Sequence, residues 1–320
     1  RNMIRASASS IKFTPILGSV NDPSSVAEMH HRPVAHLLTI DNFNILLDAG
    51  WTSDFDVSVL EKLNQVVDKI DCVLISSPEM THCGALPFLK KRLRPGVSVF
   101  GTFPTSRLGL YNVTTEFNNR FPNEHTFSNF YINQVSATSG EEENVPLKLT
   151  IDDVYASFME IKEPAGGKVT LQTAAGAHGG GEAITLEPMQ AGRLLGGSAW
   201  RIVHQTDDIM YIPDFTLKQS PLLRSFDVSA TANILISSAG CLQAELPASC
   251  RNPRGAALSA NEVEEKLLTR IKASIRRNSN VLLPVEACGR GIELVLNLSN
   301  AFKREGLKGY NLVFAFSKAA

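Results

Sequence analysis

An α/β protein is the fold class this sequence predicts, and three observations predict it. From Ile11 to Thr102, short apolar runs that suit buried strands alternate with amphipathic segments of helical period. Short β-type runs continue from Val169 to Pro213. After about Phe226 the alternation of strand, helix and strand resumes. The expected organisation is therefore one domain over residues 1–225 and a second over 226–320.

Each element has its own justification. Ile11 to Leu17 alternates into a first strand, and the Ser-, Asn-, Asp- and Pro-rich stretch from Gly18 to Pro33 reads as a loop. Val34 to Ile40 is a second strand, Asp41 to Asn44 turns it back, and Phe43 to Asp48 is a third. Asp48 ends that strand beside Ala49 and Gly50, a place that suits a site residue and a turn cap equally. Val57, Val59, Leu60, Leu63, Val66, Val67 and Ile70 share one face of a helix, so 57–70 predicts a single helix. Val73 to Ile75 is a buried strand that runs into a small, polar loop. Ala85 to Leu93 predicts a helix whose basic end suits the negative pole of its dipole, and Pro95 stops it. Val97 to Thr102 is a short strand.

The stretch from Tyr111 to Thr150 carries little pattern. Asp152 to Ile161 predicts a helix with Asp152 or Asp153 near its N-cap. Val169–Gln172, Ala183–Pro188, Ala199–His204 and Ile209–Pro213 read as strands. The glycines of 176–181 resemble a phosphate loop, but no G-K-[ST] follows, so a hairpin tip is the better reading. Beyond Phe226 come a short buried strand at Ile234–Ser237 and a loop at Glu245–Ala257. Ser259 to Arg277 predicts a surface helix with a serine cap, an acidic first turn and a basic end. A buried strand at Asn280–Val285, a helix from Ile292 to about Lys303 and a last strand at Tyr310–Phe316 complete the series.

Composition narrows the function classes. At 320 residues the chain is long enough for two domains and a large core. A formal net charge of −1 provides no global basic field to attract nucleic acid. The basic clusters Lys90, Lys91, Arg92, Arg94 and Arg270, Lys272, Arg276, Arg277 read as solvated helix faces before an RNA patch. Cys72, Cys83, Cys241, Cys250 and Cys288 are scattered, odd in number and never spaced C-x-x-C, which argues for reduced thiols in a cytosolic or nuclear protein. No apolar run approaches the ~18 residues of a membrane span, and no signal-peptide pattern is present, so the sequence argues against membrane insertion and secretion. The chain opens on Arg1, which reads as a trimmed or engineered end.

The most informative stretch is VLISSPEMTHCGALP, Val73 to Pro87. It resembles the metal-binding loop of the metallo-β-lactamase family, H-x-H-x-D-H-x-G, in register but not in ligands. Ser77 and Glu79 stand where the first two histidines belong, and Thr81 stands where the aspartate belongs; His82 and Gly84 match. Asp48 in LLDAG, the loop itself, EPMQAGRLLGGSAWRIV and YIPDF fall in the order of that family's signature motifs. ILISSAG and NVLLPVEACGRGIELVLNL resemble the start of a β-CASP domain, the insertion of nucleic-acid-processing members. The resemblance implies a metallo-β-lactamase αββα sandwich followed by the start of an α/β β-CASP domain. It also implies that later β-CASP motifs and the returning strands of the first domain lie beyond residue 320.

Active members hold two zinc ions between histidines and aspartates. Carried across, the early ligands fall on Ser77, Glu79, Thr81 and His82, the later histidine on Arg193, and the bridging aspartate on Asp214. Asp48 matches the first-motif acid, which orients ligands from behind. The first β-CASP acid falls on Ser238. Metal chemistry explains why such a set implies an inactive member with no metal or other cofactor. A catalytic zinc takes about three N, S or O ligands and an open position. Ser77 and Thr81 are poor neutral ligands, and the Arg193 guanidinium is always charged and has no lone pair to give. Arg193 is expected to fill the cavity and pair with Asp214, and with Glu79. Each residue also has a plainer reading: a packed histidine for His82, turn caps for Asp48 and Asp214, an inert buried thiol for Cys83, and a surface loop for His30 and His31.

Within the family the match is to inactive members of the pre-mRNA 3′-end cleavage and polyadenylation machinery. That implies a nuclear, non-catalytic scaffold. Its implied partners are an active zinc endonuclease subunit, a symplekin-like scaffold and other subunits of the complex, with pre-mRNA met indirectly or weakly. The rival readings are a metal-dependent RNA nuclease using Glu79, His82 and Asp214, an inactive Integrator-complex relative, and a direct RNA-binding module.

Overall fold

The computed structural model describes residues 9–18, 32–121, 126–135, 142–172, 183–217, 220, 222–238, 260–285, 291–307 and 309–314. The loop at 19–31 with His30 and His31, the glycine run 176–181, the loop at 245–257, Ser259, and Cys241, Cys250 and Cys288 lie outside the described residues. Contacts divide the chain into one unit, Arg1–Ser238 with Ser317–Ala320, and a second, Ala239–Phe316.

The first unit is built on two five-stranded sheets. One contains β1 (Ile11–Leu17), β2 (Ala35–Ile40), β3 (Phe43–Leu47), β4 (Cys72–Leu74) and β5 (Ser98–Phe100), in that spatial order. β1, β2 and β3 pair antiparallel, and β2 turns into β3 at Asp41, which takes φ +53°. β3, β4 and β5 are parallel, because helical crossovers separate them in sequence. The other sheet contains β8 (Val169–Gln172), β9 (Ala183–Gln190), β10 (Ser198–His204), β11 (Asp207–Ile212) and β12 (Ile234–Ser237). It is antiparallel except for β12, which pairs parallel with β11. The strand Ile234–Ser237, expected in the second domain, thus belongs to the first unit's sheet.

Strand alternation sorts the side chains into layers. Leu38, Ile40, Ile45, Leu47 and Leu74 pack against Ile184, Leu186, Trp200, Ile202, Ile209 and Tyr211 to fill the space between the sheets. Their neighbours in sequence, Leu37, Leu46, Val73 and Val99, point the other way into a helical layer. That layer holds α1 (Val57–Asn64), α2 (Met80–Cys83), α3 (Leu86–Arg92), α4 (Phe103–Arg120) and α5 (Ile151–Met159). On the far face of the second sheet, Ala199, Met210 and Ile212 are covered by Phe215, Phe226, Ala230 and Ala232.

Some expectations needed correction. The helix expected over 57–70 stops at Asn64 and continues as a 3₁₀ turn at Val67–Lys69. The adjacent β-branched Val66 and Val67 are stiff in a helix, and the turn still buries Val67 and Ile70 in the same core. The weakly patterned 111–150 region holds the end of α4 and the hairpin of β6 (Thr126–Val135) and β7 (Glu142–Thr150). α5 begins with Asp152 and Asp153 near its N-cap as expected, and Thr150, the cap itself, forms a reciprocal capping box with Asp153. In the second unit, α6 (Ala260–Arg276) and α7 (Gly291–Arg304) pack Leu268 and Ile271 against Leu298 and Ala301. Residues 280–285 and 310–314 form no strand; Leu282 is 90% exposed and Val313 81%. An apolar run needs a paired neighbour to become a strand, and the described residues supply none there.

Candidate functional site

The site lies where β3 and β4 end against the start of β10 and the end of β11. Backbone bonds fix its frame. Ser198 N donates to Ser76 O at 2.7 Å, and Trp200 Nε1 donates to Ile75 O at 3.0 Å, tying the two sheets together. The loop carrying Glu79 to Gly84 is held from the other side by Val34 N to Thr81 O (2.8 Å), Ala49 N to His82 O (2.7 Å) and Trp51 N to Met80 O (3.0 Å). Gly50 is required for that approach: a Cβ there would stand 1.8 Å from Thr81 O.

Asp48 is fully buried at the centre, with φ +61°, in the left-handed region that a non-glycine residue seldom adopts. Its carboxyl group accepts from Ser76 N (2.7 Å), Ser76 Oγ (2.7 Å) and Tyr211 Oη (2.5 Å). Burial pushes its pKa up, against the opposing influence of the His82 charge and of these three donors. Burial and then the charge of Asp48 hold the Tyr211 phenol well above its ordinary value, so it remains a donor; Asp214 adds to the effect. His36 on β2 faces the same interior, edge-on to Tyr211. Burial, followed by the charge of His82, lowers its pKa to about 4, and its Nδ1 is buried without a hydrogen-bond partner among the described residues.

Around this centre the positions matched to metal ligands bond mostly to one another. Ser77 Oγ donates to Glu79 Oε2 at 3.3 Å and accepts from Glu79 N at 3.3 Å. Thr81 Oγ1 lies 3.1 Å from His82 Nδ1, and the same nitrogen lies 3.7 Å from Glu79 Oε2. Arg193 Nη1 donates to Asp214 Oδ1 in a half-buried ion pair, the pairing expected from the sequence. Its loop is built to present it. Gly196, at φ +89°, turns its carbonyl to Thr105 Oγ1 (2.6 Å) and Thr102 Oγ1 (3.0 Å) at the start of α4.

These residues do not fit a pair of zinc ions. Asp214, which would bridge them, is engaged by a permanent cation, and Ser77 and Thr81 offer only neutral hydroxyls. Among the described residues no three side chains of His, Cys, Asp or Glu converge on one metal position. Sequence reasoning brought out Asp48, Ser77, Glu79, Thr81, His82, Arg193 and Asp214, and the structure gathers them at this end of the sheets. It passed over Ser76, Tyr211 and His36. Tyr211 had a usable signal, since it alternates with Ile209 on the inward face of a strand that leads to Asp214. Ser238 follows β12 directly, at the end of the first unit's long segment. Cys83 is buried, with Sγ 3.2 Å from Glu79 O, as an inert thiol would be.

Comparison with known proteins follows the same lines. The profile of the metallo-beta-lactamase superfamily domain matches residues 37–239. Cleavage and polyadenylation specificity factor subunit 2 of Arabidopsis thaliana is 30% identical over 307 residues, covering 93% of this chain and 34% of its own length. Probable cleavage and polyadenylation specificity factor subunit 2 of Drosophila melanogaster is 28% identical over 288 residues, covering 89% and 34%. Integrator complex subunit 11 of Danio rerio is 23% identical over 280 residues, covering 85% and 40%. The chain thus spans about a third of the length of the first two of these relatives.

Proposed function

The chain belongs to the metallo-β-lactamase superfamily, and from that premise we propose that it is a non-catalytic scaffold subunit of the nuclear pre-mRNA 3′-end cleavage and polyadenylation complex. It retains the frame of a zinc nuclease and pairs with the active endonuclease subunit of the cleavage and polyadenylation specificity factor (CPSF). A symplekin-like scaffold and other CPSF subunits complete its surroundings, and pre-mRNA meets it indirectly or weakly. The likeness to subunit 2 in a plant and an insect supports the assignment to this complex.

The observation that carries the inactive reading is the Arg193–Asp214 ion pair. A guanidinium occupies the position where a ligand would face the metals, and it satisfies the carboxylate that would bridge them. A metal-activated hydroxide is the usual nucleophile for phosphodiester hydrolysis in such a site, and this donor set is unsuited to generating one.

A second reading rests on Glu79, His82 and Asp214, the first two of which approach within 3.7 Å. An altered metal-dependent RNA nuclease is the alternative. Elemental analysis of the purified, unchelated full-length protein separates the two. The scaffold reading expects substoichiometric zinc, unchanged after incubation with excess zinc and washing, and no cleavage of a polyadenylation-site RNA. One or two tightly held zinc ions per chain, with cleavage, would overturn it.

A further inference from the structure

Separate from the site above, the first unit contains a cavity of about 290 Å³ bounded by α3, β5 and the chain around the end of α5. Its wall is mixed: Leu93, Val97 and Val99 give it an aliphatic part, and Ser98 and Ser157 a polar one. Its rim carries Lys90, Arg94 and Lys162 against a single carboxylate, Glu160. Beside it, Lys91 at the end of α3 is taken up by Asp153 (2.7 Å) and Lys148 O (2.8 Å).

We propose that this cavity docks a short acidic peptide segment of a partner protein, with one aliphatic side chain in the cavity and carboxylates on the rim. The charges around it are unequal in availability. Arg94 is held by Asp71 Oδ1 (2.8 Å) and Ile70 O (3.0 Å), so it is framework. Lys162 is exposed, and its ammonium donates to the neutral Ser98 Oγ at 3.0 Å. Lys90 pairs with Glu160, but both side chains are largely exposed, and such a pair holds little energy. Lys90 therefore exchanges one carboxylate for another at small cost. Incoming carboxylates are offered Lys162 and Lys90, while the aliphatic part of the wall takes up a side chain the size of leucine.

RNA fits the cavity less well. Non-specific single-strand binding relies on aromatic platforms for base stacking, and no aromatic side chain lines the cavity. The overall charge of −1 adds no long-range attraction for phosphates. The proposal does not depend on whether the other site holds metal.

Fluorescence anisotropy on the full chain tests it. The probes are a fluorescein-labelled dodecapeptide of repeated Glu-Asp-Leu units, the same peptide with Lys for each acid, the same peptide with Ser for each Leu, and a 12-mer of poly(U). At low salt, only the acidic leucine peptide is expected to bind saturably, and Lys162→Glu weakens it at least about fivefold. Lys90→Ala weakens it less, and added salt weakens it further. Both substitutions are at exposed positions, so an unchanged melting temperature should accompany them. Absence of saturable binding, binding that survives Lys162→Glu, or equal or tighter binding of poly(U) would each overturn the proposal.

Discussion

At Asp48, three donors converge on one buried carboxyl group held in a left-handed backbone conformation. Such strain persists only where the surroundings over-determine it, and here both sheets contribute: Ser76 follows β4 and Tyr211 lies in β11. The neighbouring His36 yields a prediction with a definite sign. Its folded-state pKa of about 4 lies below the ordinary 6.5, so the unfolded chain binds the extra proton between those values. Stability from this residue is complete above about 6.5 and is lost as pH falls toward 4, by roughly 3 kcal/mol in all. His36→Phe should remove that slope while leaving neutral-pH stability nearly unchanged, because the ring already packs beside Phe13 and Tyr211 and its Nδ1 has no partner among the described residues. Urea titrations of both proteins at pH 7 and pH 5 check this; an unaltered difference between the two pH values would remove His36 as its source. The sequence could show that Arg193 was mismatched to a metal and would meet Asp214. It could not show Ser76 or His36, because a serine in a small, polar loop and a histidine in a strand carry no signal until the second sheet closes over them.

Elements were legible where burial imposes a period. β2, β3, β4 and β5 alternate between two apolar layers, and their residues could be read almost to the boundary. α4 was not, because the residues it buries are Thr105, Gly109, Val113, Thr114 and Phe117, most of which are small or polar. Gly109 is small for a reason: a Cβ there would stand 2.6 Å from the Phe158 ring of α5. The start of α4 also anchors the Arg193 loop through Gly196, where a Cβ would stand 2.8 Å from Thr105 N. Gly196→Ala combines that clash with a positive φ and should cost about 2 kcal/mol, or roughly 4–8 °C in melting temperature. A thermal melt reads the loss; an unshifted midpoint would mean that the loop can leave Thr102 and Thr105 without penalty. The irregular 280–285 segment teaches the converse, that an apolar run alone does not specify a strand.

For the molecule as a whole, the division at Ser238 makes β12 the last strand of the first unit. A chain ending at Ser238 should melt cooperatively. One ending at Ser225 loses β12, with Ile234 and Ile236, and also Phe226, Ala230 and Ala232 from the far face of the second sheet. It should be less stable by at least about 2 kcal/mol, some 4–8 °C by circular dichroism; equal melting of the two would place the boundary nearer 225. The order of strands has a further consequence. In both five-stranded sheets the spatial order is the chain order, run forward or backward. Each of the described strands therefore pairs with strands that directly precede or follow it in the chain. The inner face of the first sheet is different, because Leu38, Ile45 and Leu74 are covered only when Trp200, Ile202 and Ile209 arrive. At ~5–20 residues per second that delay is on the order of ten seconds. During it the nascent chain displays β1 to β5 with an uncovered apolar side, a brief substrate for chaperones until the second sheet covers it.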